Sequence, residues 1–136
     1  MLDRSVTLPR VLAKAASEGL IWKKLAGGVN QARMTLDNST QCEFIYMQPG
    51  SKTPVHSHEG NEITLVLDGT FSDEDGDYAR ADFLMRTRSD THQPRSEEGC
   101  LCFAVLDSPL TFTQGMLRLL NPINHYRFRR SLSQSA

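Results

Sequence analysis

This 136-residue sequence has no long apolar run. None approaches the ~20 residues a spanning helix needs, so no membrane partner is expected. The opening residues, MLDRSVTLPR, hold no long apolar stretch and carry Asp3 early, so they do not read as a secretory leader. A cytoplasmic chain is the expectation. An excess of charge is missing too. The formal net charge is -1, which gives no global field to draw nucleic acid, and no nucleic-acid partner is expected. Cysteine is scarce. Cys42, Cys100 and Cys102 form an odd set without a secretion signal, which argues for reduced thiols over a disulfide framework. Repeats, low-complexity tracts and linkers are absent. One basic stretch, Arg127-Phe128-Arg129-Arg130, reads as a solvated end, with a partner-binding arm as the alternative.

What remains fits one domain spanning residues 1–136, long enough to bury roughly two-thirds of its unfolded surface. Leu8 to Ser17 is the only convincing helical stretch. Pro9 suits a first helical position, Ala13, Ala15 and Ala16 favour helix, and Glu18-Gly19 ends it, giving a short helix at about residues 8–18. From Ile21 onward the pattern is strand and turn. Trp22–Leu25, Val29–Leu36, Cys42–Gln48, Glu62–Leu67, Phe83–Arg86, Thr91–Pro94, Cys100–Leu106 and Met116–Leu120 read as strands. Gly27-Gly28, Asp37-Asn38-Ser39, Pro49-Gly50, Asp68-Gly69 and Asp73-Glu74-Asp75-Gly76 punctuate them. Asp68-Gly69 reads as a tight turn or a bulge. Short strands at this spacing predict an all-β antiparallel sandwich or barrel, with its core at about residues 20–123. Trp22 and the phenylalanines are its simplest core.

Asp73, Asp75 and Asp77 alternate in a way that suggests a calcium loop. Gly76 then falls at the fourth position instead of the sixth, and the twelfth is Leu84, not Glu. A polar hairpin turn is the better reading.

The chemistry concentrates in PGSKTPVHSHEGNEITLVLDG, Pro49 to Gly69. His56 and His58 point to one side of an extended segment, and Glu62 is a further even step away. Pro54 biases Thr53 toward extended geometry. Imidazole nitrogen with carboxylate oxygen suits Zn, Mn, Fe, Ni or Cu more than Ca or Mg. His92, in SDTHQP, adds a third imidazole and completes a site for a first-row metal.

The frame G-SKTPV-H-S-H-EGN-E-ITLVLD-G resembles the first motif of the cupin superfamily. A second motif follows in Gly76-Asp77-Tyr78-Ala79-Arg80-Ala81-Asp82-Phe83, where Ala79 and Ala81 stand in place of the family's Pro and Gly, and His92-Gln93-Pro94 supplies the matching histidine. THQP, the cysteines of GCLCFAVLDSPLTFTQG, RLLNPI, LPRVL and WKKLAGGV are similar to the cupin domain of ChrR-type anti-sigma factors, over roughly Leu8 to Ile123. The resemblance implies a jelly-roll cupin β-barrel with one divalent metal inside, held by His56, His58, Glu62 and His92. Zinc comes first, with iron, manganese and nickel as alternatives. In that family the cupin domain is C-terminal and relays photo-oxidative or peroxide stress, while an N-terminal zinc domain holds the sigma factor. That domain needs histidines and a CxxC pair. No histidine precedes His56 and only Cys42 precedes it among cysteines, so the sensor-like half alone is expected here.

Two functions follow from the resemblance. One is a regulatory or stress-sensing module, with a closed metal site and a regulatory protein partner. The other is a metal-dependent dioxygenase of a small dicarbonyl-like molecule, with an open metal position. No catalytic helper stands out. Tyr46 and Gln48 share a strand face, and an inward position is open to either. Cys100 and Cys102 also share a face, ~6.6 Å apart at Cα if extended, the upper limit for a disulfide. Buried inert thiols are the default and redox-responsive thiols the alternative. Ile63, Leu65 and Leu67 face away from Glu62 and suit either the opposite sheet surface or a homodimer partner.

Overall fold

The computed structural model describes residues 5–34, 40–58, 60–87, 90–107, 110–112 and 121–133, without the side chains of residues 58, 110–112, 124, 125, 131 and 133. The turn expected at Asp37-Asn38-Ser39 and the strand expected at Met116–Leu120 lie outside the described residues.

Helix α1 spans Arg10–Ser17. Pro9 is its N-cap, with φ -51 and ψ 144, and so precedes the first helical residue. Gly19 closes the exit with φ +101, which glycine adopts without a Cβ clash. The strands are β1 (Lys23–Lys24), β2 (Val29–Met34), β3 (Gln41–Met47), β4 (Ser51–Lys52), β5 (His56–His58), β6 (Glu62–Asp73), β7 (Gly76–Ala79), β8 (Phe83–Arg86), β9 (Thr91–His92), β10 (Arg95–Ser96), β11 (Cys100–Leu106) and β12 (Leu110–Phe112). Helix α2 follows at Asn121–Ser133. All the pairings are antiparallel, as the all-β expectation requires. The larger sheet runs β1-β2-β3-β11-β6-β10-β4, with β7 and β8 also on β6; a smaller one runs β12-β5-β9.

Strand alternation divides β3, β6 and β11 into two faces. One face packs Phe44, Tyr46, Leu67 and Leu101 with Leu12 of α1, and Leu65, Trp22 and Phe103 join them partly buried. Fully burying such a side chain is worth about 2 kcal/mol. Ile63 and Leu65 are only half-buried, and they pair across strands with Met85 and Phe83, which are exposed on β8. Phe83 is therefore not a core residue. The other face carries Glu43, Ile45, Met47, Glu62, Thr64, Cys102 and Ala104, and it lines the interior.

β6 does not stop at Leu67. It runs on to Asp73, and Asp68-Gly69 is a bulge: Leu101 faces Asp68 while Cys102 faces Val66. Gly69 has φ +74, and a Cβ there would stand 2.0 Å from the Gly99 carbonyl oxygen. No other residue type fits that approach. The second half of β6 pairs with β7 through the hairpin Asp73↔Gly76.

Ala81 takes φ +73, a left-handed conformation that favours glycine. The turn is kept despite the Cβ. Ala81 N donates to Val66 O at 2.9 Å, Val66 N to Asp82 O at 2.9 Å, and Ala79 N to the Asp82 carboxylate at 2.8 Å.

α2 corrects the reading of the basic end as a solvated tail, and of residues 8–18 as the only helix. The Arg127–Arg130 stretch is helical. Phe128 is buried against Ala104 and Leu106, with Ile45 and Leu132 around it, while Arg127, Arg129 and Arg130 stay exposed.

Candidate metal centre

The register of the small sheet places His56 directly opposite His92. Both are buried, and their ring centroids are 4.4 Å apart at 68°. His56 Nδ1 lies 2.9 Å from Pro54 O. A carbonyl only accepts, so Nδ1 carries the proton and the ring's lone pair sits on Nε2. His92 Nδ1 lies 3.4 Å from the Asp73 carboxylate. An interior cavity of about 150 Å³ is lined by His56, His92, Glu62, Thr64, Asp73, Arg86, Glu43 and Cys102, among others. Its remaining wall is largely apolar, with Leu25, Val29, Ile45, Met47, Phe71 and Leu84.

Glu62 accepts from Thr64 Oγ1 at 2.9 Å. Burial pushes its carboxyl up, and the nearby His56 pulls it back. It opposes Arg86 across the β6–β8 pair. Three of the four ligands expected from the sequence, His56, Glu62 and His92, thus face one cavity. The fourth, His58, is two residues along β5, and its side chain lies outside the described ones. Among the described residues, no three His, Cys, Asp or Glu form a ready-made metal-holding group.

Sequence reasoning missed three wall residues, Asp73, Arg86 and Glu43. Asp73, read as a turn residue, has a side chain with 0% exposure. Its Oδ1 accepts from Asp75 N at 2.9 Å and Tyr78 OH at 3.2 Å; its Oδ2 accepts from Arg86 Nη2 and, at 3.4 Å, from His92. Burial pushes this carboxyl up, but the Asp75 amide, Arg86 and His92 together outweigh it and hold the group below its ordinary value. Arg86 also donates to Asp75 at 2.5 Å, while its buried Nε has no hydrogen-bond partner among the described residues. Glu43 is buried beside Gln41 Nε2 at 2.6 Å, Gln31 Nε2, and Arg33 at 3.9 Å. Burial raises its carboxyl to about 7, against the pull of Arg33 and the amide donors. The inward residues of β3 are Glu43, Ile45 and Met47; Tyr46 packs in the outer core.

Cys100 and Cys102 are buried free thiols with sulfurs 3.5 Å apart. Only Cys102 lines the cavity. The Cys100 contact and burial push its thiol up, away from the thiolate.

The family profile described as ChrR Cupin-like domain matches residues 13–108, more than half of the chain. The chain belongs to this cupin family. It is similar to the anti-sigma-E factor ChrR of Cereibacter sphaeroides, 34% identical over 107 residues, which cover 77% of this chain and 50% of that protein. The chain thus spans about half the length of the curated relative it matches. The crystal structure of Rhodobacter sphaeroides SigE in complex with the anti-sigma ChrR aligns with a TM-score of 0.68 at 32% identity, over 73% of this chain and 56% of that one. An acetylacetone dioxygenase from Acinetobacter johnsonii shares the cupin fold, with a TM-score of 0.62 at 13% identity over 84% of this chain and 80% of that one. The ChrR-like cupin fold is thereby established, with one short helix at its N-terminal end. No helix among the described residues is long and apolar enough to cross a membrane.

The donor set fits a first-row transition metal. Two buried imidazoles stand side by side, each with Nδ1 at an acceptor, and a desolvated carboxylate shares their cavity.

Proposed function

We propose that this ChrR-like cupin binds one divalent transition metal through His56, His58, Glu62 and His92, and serves in the cytoplasm as a regulatory, stress-responsive module of transcription. The observation that carries the metal reading is the register that sets His56 against His92 beside Glu62 in one cavity. Zinc leads, ahead of iron, manganese or nickel, because three imidazoles and one carboxylate would close a tetrahedral zinc shell. A bound metal would supply cross-linking between β5, β6 and β9. These residues do the rest: Pro54 and Asp73 orient the imidazoles, and the apolar wall limits water. The regulatory partner is read from the anti-sigma relative, whose solved structure is a complex with a sigma factor. A homodimer through Phe83 and Met85 on the outer face of β8 belongs to the same reading.

Metal content per chain, measured by elemental analysis of protein purified without chelators, tests this. One zinc per chain is expected, with none left in Glu62→Ala. Unchanged metal in that variant would overturn the ligand assignment.

Two features favour a second reading, a dioxygenase of a small dicarbonyl. Glu43 titrates near 7 in the cavity, and Arg86 Nε offers it a buried donor. One iron per chain with oxygen uptake on acetylacetone would move the account there. Cys100 and Cys102 are proposed as peroxide-responsive thiols on the sensor reading. Peroxide is then expected to shift the melting temperature of the parent and not of Cys102→Ser. An equal shift in both would make the thiols structural.

A further inference from the structure

The β6–β7 hairpin brings a charged group to the centre from outside the ligand set. Asp73 ends β6, Tyr78 lies on β7, and Arg86 ends β8. Only the fold brings them to His92. Four donors reach the Asp73 carboxylate, two to each oxygen. That fills the positions a carboxylate offers in its plane. A buried charge of this kind persists only when paired and hydrogen-bonded. Three of the donors, from Asp75, Tyr78 and Arg86, fix the carboxylate in place. The fourth, His92, is the one that belongs to the candidate centre.

We infer that Asp73, clamped by Arg86 and Tyr78, is the positioning residue of the centre: it accepts from His92 Nδ1 and so presents Nε2 of that ring toward the cavity. The inference rests on the metal reading above and deepens it. His56 obtains the same tautomer from the Pro54 carbonyl, which carries no charge. The two imidazoles are therefore oriented by unequal partners. The charged one makes its imidazole the more basic donor, as carboxylate–histidine pairs do at metal sites. The clamp matters as much as the acceptor. Without the guanidinium, the oxygen that accepts from His92 would lose its other donor, and the carboxylate would be less firmly oriented toward that ring.

The test uses the full chain and zinc as the probe, with affinity read by competition against a chromophoric chelator and the shell read by cobalt(II) absorption. The parent is expected to bind zinc in a way that His92→Ala abolishes. Asp73→Asn is expected to bind 10- to 100-fold more weakly with a shifted cobalt spectrum. Arg86→Lys keeps a cation and is expected to retain most of the affinity. Asp77→Asn, which changes an exposed carboxylate on β7 that accepts from Ser72, is expected to bind like the parent. A second readout avoids metal altogether: nitrogen-15 shifts in the metal-free parent should report His92 protonated on Nδ1, even if Asp73→Asn folds poorly. Parent-like zinc affinity in folded Asp73→Asn, or His92 protonated on Nε2 in the parent, would overturn the inference and leave the ligand assignment standing. Absence of His92-dependent binding in the parent would overturn both.

Discussion

The two walls of the cavity treat buried carboxyls in opposite ways. On the β9 side, Asp73 receives four donors, one of them a guanidinium, and stays below its ordinary value. On the β3 side, Glu43 has two amides and Arg33 at 3.9 Å, and burial carries it to about 7. Burial is common to both. The number and charge of the donors decide which form is held. The fold thus keeps one permanent charge behind His92 and, across the cavity, one carboxyl that changes charge near neutrality.

The comparison breaks most severely if the clamp is removed. Arg86→Met leaves Asp73 buried without its cation, and removing one partner of such a pair costs about 3–5 kcal/mol. Urea unfolding of the metal-free protein should show that loss. A loss below about 1 kcal/mol would mean that solvent already compensates Asp73.

Glu43→Gln sharpens the other side. Glu43 titrates at about 7 in the folded chain against an ordinary value of 4.5. Between those values the native state holds more protons than the unfolded one, so stability falls as pH rises. The penalty is absent below 4.5 and complete above about 7, where it reaches up to about 3 kcal/mol. In metal-free protein, Glu43→Gln is expected to flatten this fall and to unfold later than the parent at pH 8. An unchanged pH profile would place the titrating group elsewhere.

The smallest effect belongs to the turn that leads into β8. Ala81 holds φ +73, which costs a residue with a Cβ roughly 1–2 kcal/mol. Ala81→Gly removes that strain but adds unfolded-state entropy. A net gain of about 0.5–1 kcal/mol is expected, read as a higher melting temperature, with the walls of the cavity unchanged.

The convergence of His56 and Glu62 on one cavity was legible because their spacing is local: an extended segment alternates whatever surrounds it. The core strands were legible for the same reason, and Cys100–Leu106 falls where the apolar pattern put it. Asp68-Gly69 was ambiguous because a turn and a bulge both need the left-handed glycine; the choice is made by Gly99 across the ladder. Asp73 looked like any hairpin aspartate, since nothing near it in sequence shows that β7 and β8 fold it inward beside His92. Glu43 sits in an apolar run, where alternation alone does not say which face meets the cavity. Tyr46 was the more conspicuous inward candidate, yet it packs against α1's side of the sheet. α2 was hidden by its polarity. Its burial rests on Phe128 and Leu132, one helical turn apart, too sparse a signal beside three arginines.

The central claim is a metal held by nitrogen and oxygen donors from β5, β6 and β9. X-ray absorption at the zinc edge of the loaded protein tests it most directly. The account predicts a four-coordinate shell of nitrogen and oxygen at about 2.0–2.1 Å, with the outer scattering of several imidazoles and no sulfur. A sulfur shell at about 2.3 Å would put Cys102 in the coordination sphere and contradict the assignment of His56, His58, Glu62 and His92.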